Sequence, residues 1–260
     1  MQPSKPDYGN WVPRSMMRVL SALLILLLAG EVLLITLVRS AVFCIPGGGI
    51  VLIVLALWSY MLRCRVLFDF DRGGLMGRIH QFLVDHLEWD GNGALLDVGC
   101  GSGALLIRCA KRFPAARLVG VDSWGAEWSY KKEQCHQNAV LEGVVERVVF
   151  RKGDAARLEF PDGTFDAVVS NFVFHEVRSE RDKRKVVREA LRVLKKGGVF
   201  ALNDDMKPKM YGDMDAFVQK LRDMGYEDVR LIDTATEVFG SRRRAGMMML
   251  GDSRMLVGRK

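Results

Sequence analysis

The sequence predicts an α/β protein: a parallel sheet covered by helices on both faces, preceded by two helices suited to crossing a membrane. Three observations lead there. Short apolar strands alternate with helical stretches from residue 94 onward. A glycine-rich loop, Gly99-Cys100-Gly101-Ser102-Gly103, stands where the first strand gives way to the first helix of that alternation. The first quarter of the chain holds two long apolar runs, one with a single charge and one with none, although the hydrophobic content of the 260 residues is an ordinary 49%. The expected organisation is an N-terminal segment 1–18, a helical hairpin 19–62, a linker 63–72 and a compact domain 73–260.

The twenty residues between Arg18 and Arg39 carry one charge, Glu31. A spanning helix needs about 20 apolar residues, so the length suffices. A second uncharged run lies between Arg39 and Arg63. Its Pro46-Gly47-Gly48-Gly49 reads either as the outer turn of the hairpin or as an interruption at the start of the second helix. Glu31 near mid-membrane costs about 2–3 kcal/mol. It is either a membrane site or inter-helix contact, or a protonated carboxyl hydrogen-bonded across the hairpin. A secretory signal fits poorly, because the run is long and no A-x-A-like cleavage site follows it.

Lys5, Arg14 and Arg18 precede the first run and Arg63, Arg65, Arg72 and Arg78 follow the second, with only Arg39 between. Both ends are therefore expected on the cytoplasmic side, with Tyr8, Trp11, Trp58 and Tyr60 as an aromatic belt. The net charge of +7 suits an anionic membrane surface or nucleic acid and does not choose between them.

Cys44, Cys64, Cys100, Cys109 and Cys135 contain no C-x-x-C pair, and the four histidines form no ligand cluster with them. No metal site or disulfide framework is expected, and a reducing compartment is implied. Leu75, Met76, Ile79, Phe82, Leu83 and Leu87 recur at helical spacing and predict an amphipathic helix. Strands are expected at Ala94–Val98, Arg117–Val121, Arg147–Phe150, Phe165–Ser170, Val199–Asn203, Asp228–Ile232 and Arg254–Val257. Helices are expected at 103–113, 126–141 and 180–194.

Glycines in the loop after the first strand let the backbone turn and approach a ligand. Gly99, Gly101 and Ala104 also satisfy the dinucleotide pattern G-x-G-x-x-[GA]. Two features favour a different nucleoside. Asp97 would set a carboxylate beside a bound ammonium and sulfonium rather than a pyrophosphate, and Gly103 adds a third alternating glycine. Asp122 ends the second strand, where a carboxylate accepts from ribose hydroxyls. Ser123 and Trp124 follow; Trp124 either covers a base or anchors the fold. Asp154, followed by Ala155, is the third acid at the end of a third successive strand, the edge at which open α/β sheets bind ligands.

With the fourth stretch, FDAVVSNFVFHEV, the pattern LLDVGCGSG, GVD, GDA and LRVLKKGGVFALND is complete over about Leu95 to Asp204. In these motifs the chain resembles the class I S-adenosylmethionine-dependent methyltransferases, in particular the small-molecule branch that includes quinone-biosynthesis enzymes. The resemblance implies a Rossmann-like seven-stranded, mostly parallel sheet with its last strand antiparallel. It also implies that Asp97 and the loop Gly99, Cys100, Gly101 and Gly103 hold the methionine moiety. Asp122 would hold the ribose and Asp154 the adenine end, with Asn171 near the methionine.

Methyl transfer is an in-line displacement in which alignment supplies about 7–11 kcal/mol. A general base is needed only for a protonated nucleophile. His175 is the candidate, or else a structural histidine; Asp204 and Asp205 are further candidates. Ser170-Asn171-Phe172-Val173 departs from the Asn/Asp-Pro-Pro-Tyr/Phe pattern of base and amide methylation, so nucleic acid is disfavoured as substrate. The stretch Met206–Gly212, with Met210 and Tyr211, either shapes an apolar acceptor pocket or is an ordinary loop. The basic helix Arg181–Lys196 and Arg242-Arg243-Arg244 are solvated faces or contacts to anionic head groups. The expected activity is methylation of a small, lipophilic acceptor by a membrane-integral enzyme facing the cytoplasm. A nicotinamide-dependent oxidoreductase and a non-catalytic adenosylmethionine-binding scaffold are the alternatives.

Overall fold

The computed structural model describes residues 5–72, 74–125 and 131–260. The chain divides into two compact units, one of Gly9–Met76 and one in which the described residues up to Tyr8 join Gly77–Lys260.

The smaller unit is a helical hairpin. Helix α1 runs Arg14–Leu33 and continues through one π-helical turn, Leu34–Val38. Helix α2 runs Ala41–Phe68 without interruption. The turn is Arg39-Ser40: Arg39 takes a left-handed φ of 51° and its N–H donates to the Leu34 carbonyl at 3.0 Å, while Ser40 is extended. Pro46–Gly49 is thus neither the outer turn nor a break. Pro46 is the sixth residue of α2, so the helix runs on past it although it has no N–H to give to the Val42 carbonyl. Gly47 serves close packing, since a Cβ there would overlap the Glu31 carboxylate of α1. Trp58 donates from its indole to the Ser21 hydroxyl at 2.9 Å, tying the helices together at their other end. Most of the aliphatic side chains face outward; Leu26 and Ile53 are about 70% exposed.

Helix α3 (Leu75–Asp85) is the amphipathic helix expected, with Ile79 and Leu83 fully buried. The larger unit then builds a seven-stranded sheet in the order β3-β2-β1-β4-β5-β7-β6. Its strands are β1 (Ala94–Val98), β2 (Arg117–Asp122), β3 (Val148–Lys152), β4 (Phe165–Asn171), β5 (Leu194–Asp205), β6 (Glu227–Ile232) and β7 (Ser253–Arg259). β7 is antiparallel to both neighbours and the other paired strands run parallel. All seven expected strands form.

Side chains alternate across the sheet with the period of two that strands impose. Leu95, Ala167 and Ala201 face the layer made with α3, α4 (Ala104–Arg112) and α5 (Lys132–Leu141). Leu96, Val168 and Leu202 face the layer made with α6 (Lys183–Arg192) and α8 (Met214–Asp223). Residues 126–130 of the expected helix 126–141 lie outside the described residues. The helix expected at 180–194 ends at Arg192, and Lys195–Gly198 joins β5. Within Met206–Gly212 a short helix, α7 (Pro208–Tyr211), forms and buries Tyr211 completely. The basic stretch is partly neutralised within the protein: Arg184 pairs with Asp182, Lys185 with Glu180, Arg192 with Glu189 and Asp162, and Lys195 with Asp166.

Candidate functional site

β1 ends beneath a loop in which Gly99, Gly101 and Gly103 all have positive φ (76°, 53° and 83°), a region L-residues avoid. A Cβ on Gly99 would also overlap the Val173 side chain. The loop is pinned to β2 by the Gly99 and Cys100 N–H groups, which donate to the Val121 carbonyl at 2.7 and 3.1 Å. Asp122 receives the Gly101 N–H on Oδ2 at 2.8 Å and the Trp124 N–H on Oδ1 at 2.7 Å. Its two oxygens each keep a second lone pair for a ligand hydroxyl. The Trp124 indole donates to the Gly101 carbonyl at 2.9 Å, which makes this residue a brace of the loop. Cys100 is buried, and burial first and Cys135 second push its thiol well up, so it packs rather than reacts.

Asp97 lies in the floor of this loop, 1% exposed, and among the described residues neither carboxylate oxygen finds a fully formed hydrogen bond. Burial raises its pKa to about 8, the Asp122 charge adds to that, and the nearby Leu106 N–H offsets it only in part. Such an acid is uncharged at neutral pH until a cation joins it. Ser123 and Asp154 are exposed, and Asp154 Oδ1 accepts the Ala156 N–H at 2.9 Å, so its turn is self-closed; Ala155 is half-buried.

At the β4 and β5 ends the polar groups are bonded to one another. Thr234 donates to Asn203 Oδ1 at 2.7 Å, and Asn203 donates to Asn171 Oδ1 at 2.8 Å, which fixes the Asn171 amide. Beyond Asn171 the chain makes a 3-10 turn, Phe174–Glu176, carrying His175. His175 Nδ1 bonds to Asp204 Oδ1, and its backbone N–H donates to Asp204 Oδ2 at 2.8 Å. Tyr211 donates its hydroxyl to Asp204 Oδ2 at 2.5 Å. Burial disfavours the charged imidazole, but the Asp204 bond and the charges of Asp204, Glu176 and Asp205 outweigh it, so the His175 pKa stands above 6.5. With Nδ1–H given to Asp204, Nε2 is the nitrogen that takes up a proton. The neighbouring Glu176 sets its Oε1 3.4 Å from Nε2.

Asp97, the glycine loop, Asp122, Asp154, Asn171 and His175 therefore line the carboxyl edge of successive strands. Sequence reasoning offered His175 and Asp204 separately but not their bond, which spans 29 residues. It also missed Asn138, whose amide donates to the Ser102 carbonyl of the loop at 3.0 Å. Tyr8, expected in a membrane belt, instead packs on the core of the larger unit and donates its hydroxyl to Glu142 at 2.6 Å. The unsatisfied Asp97 carboxyl and the glycine cradle fit a ligand with a cationic, amino-acid-like end.

Residues 96–202 match the model of a methyltransferase domain family. The chain is 34% identical over 154 residues to 27-O-demethylrifamycin SV methyltransferase of Amycolatopsis mediterranei (strain S699), covering 59% of this chain and 53% of that protein. It is 34% identical over 117 residues to a sterol 24-C-methyltransferase of Aspergillus fumigatus, covering 45% of this chain and 29% of that protein. The chain thus spans about half or less of these relatives' lengths. Geranyl diphosphate methyltransferase in complex with SAM superposes with a TM-score of 0.51 at 20% identity, over 75% of this chain and 93% of that one.

Proposed function

We propose, from a chain whose residues 96–202 form a methyltransferase domain with S-adenosylmethionine as its cofactor, that the protein methylates a hydroxyl of a small lipophilic acceptor at a membrane. One observation carries the choice of a protonated nucleophile: a buried Asp204 holds His175 by two bonds and leaves Nε2 to take a proton. The likeness to methyltransferases that act on a rifamycin and on sterols supports a small, largely apolar acceptor.

Asp97 binds the ammonium end of the cofactor, the glycine loop admits its methionine part, Asp122 takes the ribose hydroxyls and Asp154 and Ala155 border the adenine. Bound there, the cofactor supplies an electrophilic methyl group on a sulfonium. His175 receives the acceptor's hydroxyl proton on Nε2 as the new O–CH₃ bond forms, and the C–S electron pair remains on sulfur, cancelling its charge. Asp204 stabilises the imidazolium, and Tyr211 holds Asp204 in place.

The hairpin supports membrane integration. Its two helical stretches, Arg14–Val38 and Ala41–Phe68, hold 25 and 28 residues. At 1.5 Å per residue each exceeds the roughly 30 Å of a bilayer core. The described residues up to Tyr8 and Gly77–Lys260 belong to one compact unit, which supports a common side for both ends, and the lysine and arginine placement supports the cytoplasmic one. Arg242 pairs with Asp233, which leaves the exposed Arg243 and Arg244 of that run for anionic head groups.

The test is methyl transfer from labelled cofactor to membrane extracts by the whole protein. A labelled apolar product, absent with His175→Ala, is expected. No product in any fraction, with cofactor still bound, would favour a non-catalytic scaffold; binding of NAD(P) in its place would end the reading.

A further inference from the structure

The segment that precedes the hairpin reaches the cofactor loop. Ser102, between two left-handed glycines, is 5% exposed, and two of its polar groups are committed. Its hydroxyl donates to the Tyr8 carbonyl at 2.9 Å and its carbonyl accepts from Asn138. Asn138 is itself buried and makes a reciprocal pair with Asp7. The Asp7 N–H donates to Asn138 Oδ1 at 2.9 Å, and Asn138 Nδ2 donates to the Asp7 carbonyl at 2.8 Å. Gln134 donates to the same carbonyl at 2.6 Å. The Tyr8 hydroxyl reaches Glu142, which also receives Lys111. Burial and then Glu142 push the Tyr8 phenol far up, so it stays a donor.

We infer that Asp7 and Tyr8, with Asn138 as the bridge, are positioning residues of the cofactor loop, so that cofactor affinity depends on a segment the hairpin separates from the domain. This rests on the reading that S-adenosylmethionine binds in that loop. Asn138 bonds both Asp7 and a loop carbonyl, so the loop and the segment share this anchor. Ser102 cannot turn outward without breaking the bonds to Tyr8 and Asn138, and its neighbours Gly101 and Gly103 have backbone freedom to let it do so once those bonds go. The segment therefore suppresses the loop's alternative conformations, and a ligand that needs one conformation binds more tightly for it.

The experiment measures S-adenosylmethionine binding and turnover by the whole protein in lipid nanodiscs, beside Asn138→Ala and a chain lacking residues 1–8. Losing two or three net hydrogen bonds predicts cofactor dissociation constants raised roughly tenfold or more. The cofactor KM should rise in step while kcat at saturating cofactor and the acceptor KM hold, a split that general loss of structure does not produce. Affinity within twofold of the parent in variants that remain folded overturns the inference. Absence of binding to the parent would instead overturn the cofactor reading. Coupling is reciprocal, so a second measurement needs no variant: saturating cofactor should slow amide exchange in the peptide spanning residues 5–12. Unchanged exchange there, with the loop itself protected, also overturns the inference.

Discussion

Asp97 and Asp204 are both 1% exposed, both end a strand of one sheet, and are treated in opposite ways. Asp204 collects the His175 ring and backbone N–H, the Tyr211 hydroxyl and the Asp205 N–H. Asp97 finds no fully formed hydrogen bond among the described residues, and its pKa rises to about 8. A buried carboxylate with its own donors is built to hold charge for a fixed neighbour. A buried carboxylate without them is costly to ionise and gains most from a ligand that brings the missing cation. On the proposed reading the β4–β5 end is preorganised for proton transfer, whereas the β1 end awaits a ligand's cation.

The largest expected break of this contrast is at the organised end. His175→Ala should slow methyl transfer by about 10²–10⁴-fold without weakening cofactor binding, as read by single-turnover transfer of labelled methyl. An undiminished rate would reduce the dyad to scaffolding. At the unsatisfied end, Asp97→Asn removes a charge-assisted contact of about 1.5–3 kcal/mol, which is roughly 10- to 150-fold in cofactor dissociation constant by calorimetry. The empty protein should not suffer. The folded Asp97 pKa, near 8, exceeds the unfolded 3.8, so its contribution favours folding at low pH and is lost as pH climbs from about 4 through 8. Asp97→Asn should flatten that decline in thermal melts.

The two ends should also titrate differently. His175 acts as a base only when neutral, and its pKa stands above 6.5 because of Asp204. The rate should therefore rise with pH through a midpoint above 6.5, and Asp204→Asn should move that midpoint down as well as lower the plateau. Asp97, largely protonated at pH 7, should lose its proton when the cationic cofactor arrives. Calorimetry in buffers of different ionisation enthalpy then reads release of up to one proton, with affinity improving toward pH 9; no release would mean that the cofactor's cation lies elsewhere. The smallest effect is expected from Tyr211→Phe, about 1 kcal/mol of stability and a few-fold loss of rate.

What was legible in the sequence followed from short-range pattern. The seven strands, the amphipathic α3 and the loop between β1 and α4 are set by periodicity and glycine within windows of ten or so residues. The acids at successive strand ends were readable for the same reason. Pairings across distance were not. Nothing within ten residues of His175 announces that Asp204 will orient it, and the belt reading of Tyr8 was lost to Glu142, 134 residues away. The misplaced hairpin turn has another cause. Proline and glycine usually mark turns, but at Gly47 the absent side chain makes room for Glu31, and the chain turns instead at Arg39, where no glycine advertises it.

The clasp between Asp7–Tyr8 and Ser102–Asn138 also constrains how the molecule is made. Tyr8 leaves the ribosome ninety-four residues before Ser102 and 134 before Glu142. Both apolar helices must emerge, and on the present reading enter the bilayer, before the seat for Tyr8 exists. On that reading an N-terminus left on the side opposite the domain could never reach it, so a closed clasp would record that both ends of the hairpin came to lie together.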